Sequence, residues 1–133
     1  MKERYEGFSP LIRIPSIAAS GIANCGLVNC RALDKICLSI QATFNGSSTT
    51  DATLKIYYSP DGKNFDTIVY DSITLTVSAG NVTQRSELIN VPDSGFLKII
   101  VSNDCQSYAL TNISIWASVV YKFFEDIQTN AST

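Results

Sequence analysis

Alternation of apolar and polar residues runs through this chain from Lys35 to Tyr121 and limits its fold more than any other feature. In the stretch from Lys35 to Phe44, Ile36, Leu38, Ile40, Ala42 and Phe44 fall on one side, and Lys35, Cys37, Ser39, Gln41 and Thr43 on the other. A period of two is the mark of a strand with one wet face and one buried face. The same pattern returns in Ala52, Leu54, Ile56 and Tyr58, in Ile73, Leu75, Val77 and Ala79, and in Ile113, Ile115, Ala117, Val119 and Tyr121. Between these runs lie Asn45-Gly46-Ser47-Ser48, Ser59-Pro60-Asp61-Gly62, Ala79-Gly80-Asn81 and Pro92-Asp93-Ser94-Gly95. Such residues either preset φ or accept a positive φ, which is what tight turns require.

Less regular segments complete the pattern. Ser16 to Val28 reads as two short strands, Phe65 to Tyr70 as a short return strand, and Val82 to Val91 as a mixed strand. Phe96 to Val101 is apolar on both faces apart from Lys98. About eight strands at a spacing of roughly 8–12 residues predict an all-β chain, an antiparallel β-sandwich of jelly-roll type. Residues 1–15 read as an extended arm, because Pro10 and Pro15 remove backbone donors and fix φ, while Leu11, Ile12 and Ile14 are too apolar for a solvated tail. The arm is expected to pack on another chain. Residues 16–122 form the sandwich domain and 123–133 a C-terminal tail, with a turn of helix over 123–127.

Composition removes several functions. With 133 residues the chain is one domain and buries roughly two-thirds of its unfolded surface without a metal or disulfide. A net charge of −2 with scattered basic residues argues against nucleic acid, which needs a concentrated basic patch. No run approaches the ~20 apolar residues of a membrane helix. The mixed-charge start Met1-Lys2-Glu3-Arg4-Tyr5-Glu6 is not followed by the apolar core of a signal peptide. The sequons at Asn45, Asn81, Asn112 and Asn130 are therefore expected to stay unmodified.

Catalysis lacks its usual parts. There is no histidine to act as base for a Ser or Cys nucleophile. Asp61 with Asp66, or Asp93 with Asp104, are the candidate acid pairs, but all sit in turns or loops, where Asp caps backbone amides. Calcium is disfavoured at Asp61-Gly62-Lys63-Asn64-Phe65-Asp66, because Lys63 stands where an oxygen ligand belongs. Cys25, Cys30, Cys37 and Cys105 are separated by four, six and then many residues, unlike a zinc pair. Their disulfide state is left open by the sequence, since four cysteines allow three full pairings. No enzyme activity, cofactor or metal is expected.

What remains is contact. In the last strand Trp116 falls on the side of Ser114, Ser118 and Val120, away from the core. Tryptophan is enriched at binding hot spots. Phe96 and Ile100 occupy the second face of their strand, and Phe123-Phe124 extend the apolar surface beyond the sandwich. Leu11, Ile12, Ile14, Phe96, Ile100, Trp116, Val120, Phe123 and Phe124 are the expected partner contacts.

Two resemblances follow from these segments. Tyr58-Ser59-Pro60-Asp61-Gly62-Lys63-Asn64-Phe65 is similar to the Asp box of sialidase-like propellers, without its spacer between Asp and Gly, and to a strand-turn segment of discoidin-type sandwiches. In both, the element is a hairpin turn and implies fold alone. Ala42 to Ser47, Ala52 to Gly62, Leu75 to Asn81 and Thr111 to Trp116 together resemble small β-sandwich structural proteins of tailed viruses of bacteria and archaea. That resemblance spans about residues 35–120. It implies a virion component made in the host cytoplasm, a capsid decoration or minor head or tail protein, with a viral capsid or tail protein as partner and copies of itself as neighbours. The alternative is a carbohydrate-binding or adhesion module using Tyr57, Tyr58, Tyr70 or Trp116.

Overall fold

Each sheet is assembled from strands that are distant in sequence. The computed structural model describes the backbone of residues 4–122 and the side chains of residues 12–122. Among these residues lie eight strands and no helix: β1 (Arg4–Ile17), β2 (Ile22–Asn29), β3 (Leu33–Thr43), β4 (Ala52–Ser59), β5 (Asp71–Leu75), β6 (Val82–Asn90), β7 (Phe96–Asn103) and β8 (Leu110–Tyr121). One sheet has the order β1-β8-β3-β6 and the other β2-β7-β4-β5, with every neighbouring pair antiparallel. Successive strands mostly change sheet, which is the jelly-roll arrangement and agrees with the predicted sandwich.

The inward faces are those the alternation selects. Ile36, Leu38, Ile40, Ala42 and Phe44 are all buried, as are Ala52, Leu54 and Ile56 from β4 and Ile113, Ile115 and Val119 from β8. A fully buried Ile or Leu contributes roughly 1.5–3 kcal/mol of hydrophobic free energy. Tyr58, Val77 and Tyr121 pack against this core from its margins.

Three local readings change. Ile17 completes β1, and Ala18 to Gly21 turn the chain, so Ser16 to Val28 contains one further strand, β2, instead of two. Phe65 to Tyr70 belongs to the β4–β5 loop; Asp66 N and Tyr70 N donate to Tyr58 O and Ile56 O without forming a ladder. Ala79 is exposed and lies outside β5. The helical turn expected over 123–127 lies outside the described residues.

Most of the residues read as an arm run along β8 as the edge strand β1. The register passes from Phe8 opposite Ala117 to Ile12 opposite Ile115, so Ser9, Pro10 and Leu11 stand opposite Trp116 in a bulge. Edge strands and bulges are where proline is tolerated within a sheet.

Candidate interaction surfaces

Three of the four carboxylates singled out in the sequence, those of Asp61, Asp93 and Asp104, are occupied in holding loops. Asp61 Oδ1 accepts from Lys63 N, Asn64 N and Ser59 Oγ, and its Oδ2 accepts from Asn64 Nδ2. Those donors, the Asn64 and Lys63 amides foremost, hold the Asp61 carboxyl far below the usual carboxylate range. The buried Ser59 completes the turn by accepting from Asp61 N and Gly62 N. Asp104 accepts from Thr53 Oγ1 and Ser102 Oγ, and Asp93 pairs with Lys122 at 3.1 Å. The stabilising share of Asp61 is complete above the ordinary carboxylate range. It is lost only as pH falls through that range toward the depressed folded value. Asp61→Ala is expected to speed amide exchange at Lys63 and Asn64 at neutral pH while leaving the strand amides protected, as hydrogen–deuterium exchange would read.

The aromatic rings proposed for sugar binding do not share a groove. Tyr57 faces outward on β4 with Lys98 Nζ 5.6 Å from its ring centroid, and Phe65 takes the same ammonium at 4.8 Å. Tyr58 and Tyr70 stand together at 6.3 Å, but their hydroxyls donate to Ser94 O and Asn90 O. Trp116 belongs to the other sheet.

The expected contact residues are likewise spread over the molecule. Trp116 and Val120 lie on the outward side of β8, Trp116 half-buried and Val120 buried. Phe96 and Ile100, both half-buried, lie on the outward side of β7 in the opposite sheet. Ile12 and Ile14 pack against the chain's own core. Phe123 and Phe124 fall outside the described residues, as does the side chain of Leu11.

Among the described residues, the most exposed apolar side chains of the strands stand instead on two edge strands. Ile22 and Leu27 of β2 are 65% and 54% exposed, and Val82 and Leu88 of β6 are 56% and 58% exposed. These strands end different sheets and lie on opposite flanks of the sandwich. Sequence reading passed over them, although Leu88-Ile89 held a signal: adjacent strand residues cannot both face inward, and Ile89 is the buried one.

All four cysteines are unpaired within the chain. Burial pushes the Cys25 thiol up to about 11 and raises that of Cys30, whereas the Ser107 amide and the Ser48 hydroxyl lower that of Cys105. Only Cys37 is not buried. In the native protein Cys37 is expected to alkylate on the order of tenfold faster than Cys25, because reaction needs both access and thiolate. Peptide mapping after brief maleimide exposure measures this ratio.

No protein-family model and no curated protein matches the chain. Solved structures do. A subunit described under "Bacillus endospore appendages form a novel family of disulfide-linked pili" superposes with a TM-score of 0.51 at 15% identity, over 92% of either chain. PirA superposes at 0.50 and 11% identity, over 84% of this chain and 96% of its own. The PRD1 vertex protein P5 gives 0.49 at 15% identity, over 85% and 95%. At these identities the first two likenesses establish a shared sandwich fold.

Proposed function

We propose that this chain is a non-enzymatic structural subunit of a virion, a capsid decoration or minor head or tail component made in the host cytoplasm. In this reading it joins copies of itself and docks on a viral capsid or tail protein. One observation carries the proposal: two edge strands on opposite flanks, β2 and β6, hold large apolar side chains in water. A sheet edge offers unpaired amides and carbonyls, and soluble monomers usually protect such edges with charge or proline. A flank of one copy meeting the other flank of the next gives a heterologous contact, which closes into a ring or grows into a filament. The outer faces, with Trp116 and Val120 on one side and Phe96 and Ile100 on the other, are left for the shell protein. The resemblance to virion sandwiches supports this reading. So does the use of a similarly folded subunit in a pilus.

Sedimentation velocity tests the self-association. The wild-type chain is expected to form species larger than the monomer at micromolar concentration. Ile22→Lys and Leu88→Lys should each reduce them to monomers with unchanged melting temperature. Mixing the two variants should give heterodimers and nothing larger, because each contributes one intact flank. A wild-type chain that stays monomeric throughout overturns the self-assembly, and variants that assemble as well as the wild type overturn the role of these edges.

A further inference from the structure

The β4–β5 loop carries an aromatic ring onto the outer face of its own sheet. Asp61 fastens the start of this loop from within, and Gly62 lies against the Phe96 ring, where a Cβ would stand 3.0 Å from Cδ2. So seated, the loop brings Phe65 over β7. There Lys98 of β7 stands directly opposite Tyr57 of β4. The Lys98 ammonium lies 4.8 Å from the Phe65 ring centroid and 5.6 Å from that of Tyr57, so two rings hold one cation in place.

This patch is cationic on a chain whose net charge is −2. Leu97, Ile99 and Val101 point inward, so Lys98 and Ile100 point outward, and Lys55, opposite Ile100, stands on the diagonal from Lys98. Among the described residues the ion pairs are Arg85 with Glu87 and Lys122 with Asp93, and neither includes these two lysines. Asp61 is committed to its turn, and Asp104 to Thr53 and Ser102. Asn24 and Ser72 end the same row, opposite Ile100 and Lys55. Asn24 Oδ1 accepts from Gly26 N, which leaves its Nδ2 as a donor.

We propose that this face binds an acidic polysaccharide of the uronate class. A uronate carboxylate meets the Lys98 ammonium, the apolar face of a sugar ring lies along Tyr57, and Lys55, Asn24 and Ser72 meet neighbouring acid and hydroxyl groups. An ammonium already held by two rings loses little rotamer freedom on capture, which lowers the cost of binding. Two lysines are too few for a nucleic-acid backbone. Rings and hydrogen-bond donors alternating on a flat face suit a sugar, which has apolar faces and polar edges. An extended peptide would instead add to a sheet edge. The docking surface of the shell protein is thereby narrowed to the opposite face, with Trp116 and Val120. The inference does not depend on self-association.

Isothermal titration with oligogalacturonate tests this on the wild type and on Leu88→Lys, the variant designed to be monomeric. Both are expected to bind alike, and added salt should weaken both. Lys98→Gln should lose on the order of tenfold in affinity with an unchanged melting temperature, because a charge-assisted bond at the surface is removed. Phe65→Ala should lose less, since the ammonium is loosened but kept. Neutral malto-oligosaccharides should give no heat. Absence of oligogalacturonate binding at millimolar ligand overturns the proposal, as does full binding by folded Lys98→Gln. Equal binding of poly-glutamate also overturns it, because the face would then recognise acidic polypeptide. Binding by the wild type but not by Leu88→Lys would tie the site to assembly and overturn its independence.

Discussion

Asn103→Leu is expected to cost about 3 kcal/mol of stability and to lower the melting temperature by roughly 10 °C. Asn103 is 2% exposed at the end of β7. Its Nδ2 donates to Ile17 O, Ala18 O and Tyr108 O at 3.1, 3.1 and 2.9 Å, and its Oδ1 accepts from Cys105 N at 3.3 Å. One side chain thus joins the end of β1, the β1–β2 turn and the β7–β8 loop, which lie in both sheets. Leucine matches the volume but pairs with none of these groups. Each buried polar group left unpaired costs about 1–3 kcal/mol, and partial relaxation toward water keeps the total near the figure above. The Asn103 backbone amide still donates to Gly21 O, so the fold itself should persist. Chemical denaturation of Asn103→Leu beside the wild type measures the difference, and a loss under about 1 kcal/mol would mean that water replaces the side chain without penalty.

Asn103 also illustrates what alternation conceals. The sandwich was legible because period two reports burial directly. Ile36 to Phe44 and Ile113 to Val119 could face only one way, and a slip of one residue would have turned each whole set into water. Edges were less legible. Whether β1 pairs with its own β8 or leaves the domain depends on a register with a bulge opposite Trp116, and Pro10 and Pro15 are compatible with either an arm or an edge strand. Loops were least legible. Phe65 to Tyr70 has strand composition, yet Asp61 and Ser59 commit the preceding residues to a turn that carries the chain away from a ladder. The exposed edges were hidden for a different reason. Trp116 and Phe96 attract attention by residue type, but exposure at Ile22 and Leu88 depends on which strands end the sheets, and strand order is set by long-range pairing.

Gly95→Ala is expected to destabilise the chain by about 3 kcal/mol or more, against about 1–2 kcal/mol for Gly26→Ala. Both glycines hold a positive φ, 95° at Gly95 and 110° at Gly26, so alanine strains the backbone at either position. Their surroundings differ. A Cβ on Gly26 would meet nothing within 4 Å, whereas one on Gly95 would lie 2.6 Å from Tyr58 Oη and 2.7 Å from Ser59 O. The carbonyl is backbone of β4 and cannot swing aside, and the Tyr58 hydroxyl is held by its bond to Ser94 O. Relief would have to come from moving the β6–β7 turn outward. That motion would stretch the bond from Cys30 N to Gly95 O, at 2.9 Å the tie between this turn and the end of β2. The difference between the two variants therefore isolates the clash from the shared backbone strain. Urea unfolding of both beside the wild type gives that difference, and equal losses would show that the turn shifts freely and that β4 is not packed against it.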